Sequence, residues 1–154
     1  KAFEPVSPYG ASKALAESLF LAANNTTTVT RFAACRYGNV FGSTGSVVPI
    51  WKKMVQGGAT ELPVTDPECT RFYMTVGEAV QLVMDTATAM PLTVAIPDLP
   101  AYRLCDLAAA FGLPIRVTGL ADWEKRHESM CAGRSSQNAR RMTVEELREA
   151  LNAL

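Results

Sequence analysis

Tyr9 and Lys13 stand four residues apart in the opening stretch KAFEPVSPYGASKALAESLF. On a helix that spacing stacks the two side chains on one face. An ammonium beside a phenol favours the phenolate, which otherwise forms only near a pKa of about 10. A phenol so placed can relay a proton to or from a sugar hydroxyl while a hydride moves to a nicotinamide. A Tyr–Lys pair of this spacing also arises on ordinary helices, so the pair by itself leaves both readings open. His127 is the sole histidine, with no cysteine or carboxylate at metal spacing, which makes it structural rather than a ligand. The cysteines at 35, 69, 105 and 131 match no zinc or C-x-x-C spacing, and we read them as reduced and mostly buried.

These residues need elements to hold them. Residues 9–24 read as a helix: Leu15, Leu19 and Ala22 form one apolar stripe, and Tyr9, Lys13, Ala16 and Phe20 share another face. TTVTRFAACRYGNV, rich in β-branched residues, reads as a buried strand running into the loop GNVFGSTGS. Ser46 is then an N-cap for the helix VVPIWKKMVQGG. TRFYMT reads as a short strand, VGEAVQLVMDTATAM as an amphipathic helix, LTVAIP as a strand, RLCDLAAAFG as a helix and PIRVTG as a strand. RSSQNARR is polar and reads as mobile, and Thr143 with Glu146 forms a capping box opening the last helix. Strands alternate with helices, which predicts an α/β fold with a partly parallel sheet.

The chain has 154 residues, 48% hydrophobic and 19% charged, with a formal net charge of zero. That describes one folded domain without the basic block a nucleic-acid partner needs. Its apolar runs are too short for a membrane span, and the opening stretch is no signal peptide, so the expected location is cytoplasmic.

Four blocks in order carry a resemblance. KAFEPVSPYGASKALAE resembles the catalytic segment of extended short-chain dehydrogenases/reductases, and within them the polysaccharide-biosynthesis (CapD-like) branch of inverting nucleotide-sugar 4,6-dehydratases, where T-D-K-A precedes a proline and Y-G-A-S/T-K. RYGNVFGSTGSVVPIW is similar to that branch's R-Y-G-N-V-x-G-S-x-G-S-V-I-P. LPVTDPECTRFYMTVGEAVQLV is similar to P-I-T-D-P-x-M-T-R-F-x-M-T-x-x-E-A-V. IPDLPAYRLCDLAAAFG, running on to DWEKRHE, is similar to a segment ending P-G-E-K-L-H-E. Ordered blocks are far more specific than any one motif.

The resemblance implies a Rossmann-like extended fold whose late helix and strand are residues 1–44, a mainly substrate-binding region over 45–133, and a polar segment and closing helix over 134–154, all within one domain. It implies a lyase acting on a UDP-sugar such as UDP-N-acetylglucosamine. A hydride leaves C4 for NADP, water is eliminated between C5 and C6, and the hydride returns to C6. Tyr9 would relay the proton; Lys13 would lower its pKa and hold the nicotinamide ribose; Lys1 falls on the lysine used at C5. Tyr37 and Gly38 would flank the cofactor. Asn39 would contact the substrate near its diphosphate, where the alternative is a cap on the turn after a strand. The glycine loop and the helix start at Ser46 suit a diphosphate. Arg71 can grip a phosphate bidentately or pair with Asp66 or Glu68 at the surface. Val47, Thr65 and Glu128 would line the nucleoside side.

The first half of that family has no counterpart in these residues. No G-x-x-G-x-x-G follows a first strand, and no threonine and aspartate stand before Lys1. We therefore expect the C-terminal, catalytic and substrate-binding part of a dehydratase-like protein, truncated and inactive alone, with NADP(H) bound poorly. The alternatives are a non-catalytic remnant that self-associates or binds a nucleotide-sugar, and a nucleotide-sugar epimerase or reductase fragment. The open edge of TTVTRFAAC would be covered by a homo-oligomer or by a partner supplying the first half.

Overall fold

Ser7 starts the first helix: its hydroxyl accepts from the Gly10 amide at 3.1 Å, and Pro8 fills the first position, where a missing N–H is no loss. A computed structural model describes residues 1–91 and 93–154. In it α1 spans Pro8–Ala23, and Gly10 is its one buried residue. A side chain at Gly10 would stand 3.0 Å from the Lys1 carbonyl oxygen and 3.0 Å from Pro5 Cβ. The bare backbone there lets the opening segment lie directly on α1. The predicted stripe of Leu15 and Leu19 is exposed, as is Phe20.

The strand predicted over TTVTRFAACRYGNV does not form a ladder. Those residues run extended and touch neighbours at two isolated parallel bridges, Cys35 to Ala95 and Val40 to Met74. Val29 is 91% exposed. A β-branched run becomes a strand only when a neighbouring segment takes its backbone groups; among the described residues these two bridges are its strand contacts, while side chains take others, Asn24 bonding both the N–H and the C=O of Phe32. LTVAIP likewise contributes only the Ala95 bridge; its first residue, Leu92, lies outside the described residues.

The helices follow their local signals. α2 spans Val47–Gln56 and closes at Gly57. α3 spans Val76–Ala89, opened by a Thr75–Glu78 capping box. α4 spans Leu104–Ala110. α5 spans Val144–Asn152, with the predicted Thr143–Glu146 capping box in place.

The strands are short and pair in twos. β1 (Leu62–Val64) pairs parallel with β4 (Ile115–Val117), Leu62 opposite Ile115. β2 (Thr70–Phe72) pairs antiparallel with β3 (Ala101–Arg103), Arg71 opposite Tyr102. β5 (Ser129–Cys131) and β6 (Arg134–Ser135) form an irregular hairpin. The predicted partly parallel sheet is thus three small ladders, of which one is parallel.

RSSQNARR, read from composition as mobile, is instead tied down. It supplies β6, and Ser136 within it is fully buried. The Ser136 hydroxyl lies 2.6 Å from that of Thr70 and accepts from the Glu128 amide at 2.8 Å. Two cores hold the rest. Val48, Trp51, Leu62, Val64, Leu107 and Leu147 centre the larger one, between α2, β1, α4 and α5. Phe72, Met74, Leu99, Ala101 and Met130 form the smaller one, beneath residues 38–40. All four cysteines are free; Cys69 is buried and the others are half-buried.

Candidate active site

Two adjoining clefts meet at Asn39. The first, of about 440 Å³, lies between α1, residues 33–39 and β5. Lys1, Tyr9, Lys13, Tyr37, Gly38, Asn39 and Glu128 all line it. Tyr9 and Lys13 come from successive turns of α1, and the Lys13 Nζ stands 5.2 Å from the centre of the Tyr9 ring. Gly38 is needed as glycine: a Cβ there would stand 2.7 Å from Leu99 Cδ1 and 3.0 Å from Phe72 Cβ. The smaller core therefore presses the chain forward at 38 and brings Asn39 to the junction. Among the described residues the Asn39 amide makes no hydrogen bond, so it does not cap the turn.

Lys1 enters this cleft from the opening segment. Its Nζ donates to Glu128 Oε1 at 2.6 Å, and the Arg71 Nε lies 4.0 Å from the same oxygen. Glu128 is 7% exposed. Burial alone would raise its pKa; the hydrogen bond and charge of Lys1, then the charge of Arg71, outweigh it and hold the carboxyl below its ordinary value. The opening segment is also fastened by Lys125, whose Nζ donates to the Phe3 carbonyl at 2.7 Å.

The second cleft, of about 330 Å³, is lined by Asn39, Ser46, Val47, Thr65, Arg71 and Glu124 among others. It ends at the start of α2. Ser46 takes the N-cap position, but its side chain makes no cap bond, and its hydroxyl oxygen is buried without a partner. Pro49 brings no N–H to the first turn, so the leading donors are the Val47 and Val48 amides. A diphosphate offers acceptors suited to such a helix start. Tyr102, behind the cleft, has its phenol pushed up to about 12, chiefly by burial.

Arg71 pairs with neither Asp66 nor Glu68. Asp66 pairs with Arg126 instead. The Arg71 side chain is 13% exposed. It donates to Glu124 Oε1 at 2.8 Å and to the Thr70 and Arg126 carbonyls at 2.8 and 3.1 Å. Glu124 also accepts from the Thr65 hydroxyl at 3.1 Å. Sequence reasoning chose Glu128 as the acid lining this cleft beside Val47 and Thr65. The structure puts Glu124 there, and Glu128 on Lys1. The signal for Glu124 was in the same DWEKRHE block, which carries both acids.

His127 stays outside both clefts. Its Nδ1 lies 2.8 Å from the Thr70 hydroxyl. Burial, then Arg126, Arg141 and Arg71, push its pKa down. Among the described residues no group of acids, histidines or cysteines could hold a metal ion, and no helix is long and apolar enough to cross a membrane.

In the first cleft a phenol and an ammonium face one space beside the backbone of residues 37–39. A glycine-rich cradle for a dinucleotide pyrophosphate is absent from the sequence.

The family model for polysaccharide biosynthesis proteins matches residues 1–148. The inverting UDP-N-acetylglucosamine 4,6-dehydratase of Campylobacter jejuni is 42% identical over 141 residues, covering 88% of this chain and 42% of that protein. The capsular polysaccharide biosynthesis protein CapD of Staphylococcus aureus is 36% identical, covering 84% of this chain and 23% of its own length. The crystal structure of Pen from Bacillus thuringiensis superposes with a TM-score of 0.86 at 27% identity, over 99% of this chain and 58% of that one. The chain thus spans less than half the length of the curated relatives it matches.

Proposed function

The chain belongs to the polysaccharide biosynthesis protein family with an extended short-chain dehydrogenase-like α/β fold, and from that premise we propose that it is the catalytic and substrate-binding part of a nucleotide-sugar 4,6-dehydratase. The observation that carries the reading is the meeting of Lys1, Tyr9, Lys13 and Asn39 around one cleft. Tyr9 and Lys13 alone would serve an epimerase or a reductase equally. Lys1, tethered by Glu128 in the same space, adds the second proton-transfer group that an elimination at C5 requires, acting once its proton has been given up.

On this reading the UDP-sugar lies across both clefts. Its diphosphate meets the start of α2, Ser46 and Arg71, and its nucleoside meets Val47, Thr65 and Glu124. Asn39, at the junction, orients the sugar. Tyr9 takes the proton of the C4 hydroxyl, with Lys13 stabilising the phenolate. Lys1, as the neutral amine, takes the proton from C5 and passes a proton to the departing C6 oxygen, so that the C5–H and C6–O bonds break, the C5–C6 double bond forms and water leaves. Tyr9 and Lys13, beside Tyr37 and Gly38, would hold the ribose of NADP, which when bound would supply the hydride acceptor and donor. The dinucleotide's remaining half needs residues beyond these 154, so these residues alone bind the sugar nucleotide without turning it over. The exposed apolar residues Leu15 and Leu19 on α1, and Val80, Val83 and Met84 on α3, support further polypeptide covering these faces, from a second copy or from the first half of the fold.

Calorimetry tests the reading. UDP-N-acetylglucosamine should bind the chain, and Asn39→Ala and Arg71→Ala should each weaken it by roughly tenfold. Heat from NADP as strong as that from the sugar nucleotide would contradict the reading that these residues alone hold only part of the cofactor. No heat from the sugar nucleotide would leave a non-catalytic remnant as the better description.

A further inference from the structure

Glu17 follows Lys13 by one helical turn, the spacing at which a lysine and a glutamate pair along a helix. Yet among the described residues Lys13 forms no ion pair, and its ammonium lies at the Tyr9 ring. The reason is across the cleft. Both Glu17 oxygens are taken by Arg36, the Nε donating to one at 2.7 Å and a terminal nitrogen to the other. Arg36 is itself held from three further sides. Its remaining nitrogen donates to the Met130 carbonyl. Its guanidinium lies 5.3 Å from the centre of the Phe3 ring. Its backbone amide donates to the Ala95 carbonyl at 2.9 Å. Both side chains of the pair are largely buried.

We propose that Arg36 is a positioning residue that sequesters Glu17 and so keeps the Lys13 ammonium available to Tyr9. Remove Arg36, and Glu17 is left in a half-buried place needing a cation, with Lys13 the cation within reach on the same helix face. Lys13 would turn from Tyr9 toward Glu17. Remove Glu17 instead, and Lys13 has no competing carboxylate one turn along α1. The two losses are therefore unequal, and the second should cancel the first. Neither behaviour follows if the pair merely adds stability. The consequence for proton relay rests on the reading of Tyr9 and Lys13 above; the sequestration itself does not.

The test is side-chain NMR of the protein labelled at lysine, with the five lysines assigned by substitution. Arg36→Met should shift the Lys13 Cε and Nζ resonances, and Arg36→Met with Glu17→Gln should return them. Glu17→Gln alone and Arg36→Lys should leave them in place. A Lys13 signal unmoved in Arg36→Met, or moved equally by Glu17→Gln, would overturn the proposal. Arg36→Gln keeps a donor for the Met130 carbonyl and replaces Arg36→Met should the latter not fold. No sugar nucleotide is present, so a failure here speaks against the sequestration alone. Failure to bind UDP-N-acetylglucosamine speaks against the functional reading alone.

Discussion

Lys1 and Glu128 form a close ion pair, 2.6 Å apart, in which the lysine is half exposed and the carboxylate buried. The pair joins the opening segment to the turn before β5. Its two members are not equally replaceable.

Glu128→Gln removes the charge that anchors Lys1, and Lys1 is exposed enough to rehydrate. We expect a loss of about 1 kcal/mol, read from urea unfolding. Lys1→Met should cost no more than that, because Arg71 remains 4.0 Å from the Glu128 oxygen. A Lys1→Met loss above about 3 kcal/mol would mean that Arg71 gives Glu128 no support.

Stability should fall in two steps as the solution is acidified. His127 has a folded pKa below its ordinary 6.5, lowered by burial and by three arginines. The folded chain therefore prefers the neutral ring. Its contribution is complete above pH 6.5 and is lost as the pH drops through the folded value. Glu128 also titrates below its ordinary 4.5, so its contribution is complete above that pH and is lost further down. Melting temperature against pH checks both steps. His127→Gln should remove the upper step and leave the lower.

Gly38→Ala should destabilise the chain by about 1–3 kcal/mol, since the new Cβ meets Leu99 and Phe72 in the smaller core. It should also weaken UDP-N-acetylglucosamine binding, because relief of the clash moves Asn39. Leu99→Ala in the same chain makes room and should recover part of the binding, measured by calorimetry.

Glu124→Gln probes the acid that sequence reasoning passed over. Arg71 and Thr65 both give it hydrogen bonds. Losing its charge should change sugar-nucleotide affinity by roughly fivefold or more, whereas an acid serving the fold alone would change only the melting temperature.

What could be read beforehand divides along physical lines. α1, α2, α3, α4 and α5 were legible because periodicity, Pro8, Gly57 and the Thr143–Glu146 box act within a few residues. The run from Thr27 to Val40 was misread because a strand is a property of two segments, and the composition of one cannot supply the other. Ser136 looked like part of a mobile tract because its partners, Thr70 and the Glu128 amide, are distant in sequence. That Tyr9, Lys13 and Lys1 would share one space could be read from motif order alone. Choosing between Glu124 and Glu128 required the path of residues 121–128. That path is fixed by Lys125 on the Phe3 carbonyl and Arg126 on Asp66, contacts that no spacing encodes.

The tie between Lys125 and the Phe3 carbonyl spans 122 positions, and that between Lys1 and Glu128 spans 127. Closing a loop costs about 0.6 kcal/mol more with each doubling of its length, and contacts of long separation form slowly. In a complete chain α4 and α5, with their nearer contacts, can assemble ahead of these ties. The first cleft comes together only after the segment around residue 128 has been synthesised and has folded back. A nascent chain stalled before that point would carry Tyr9 and Lys13 on a helix but have no cleft for them to face.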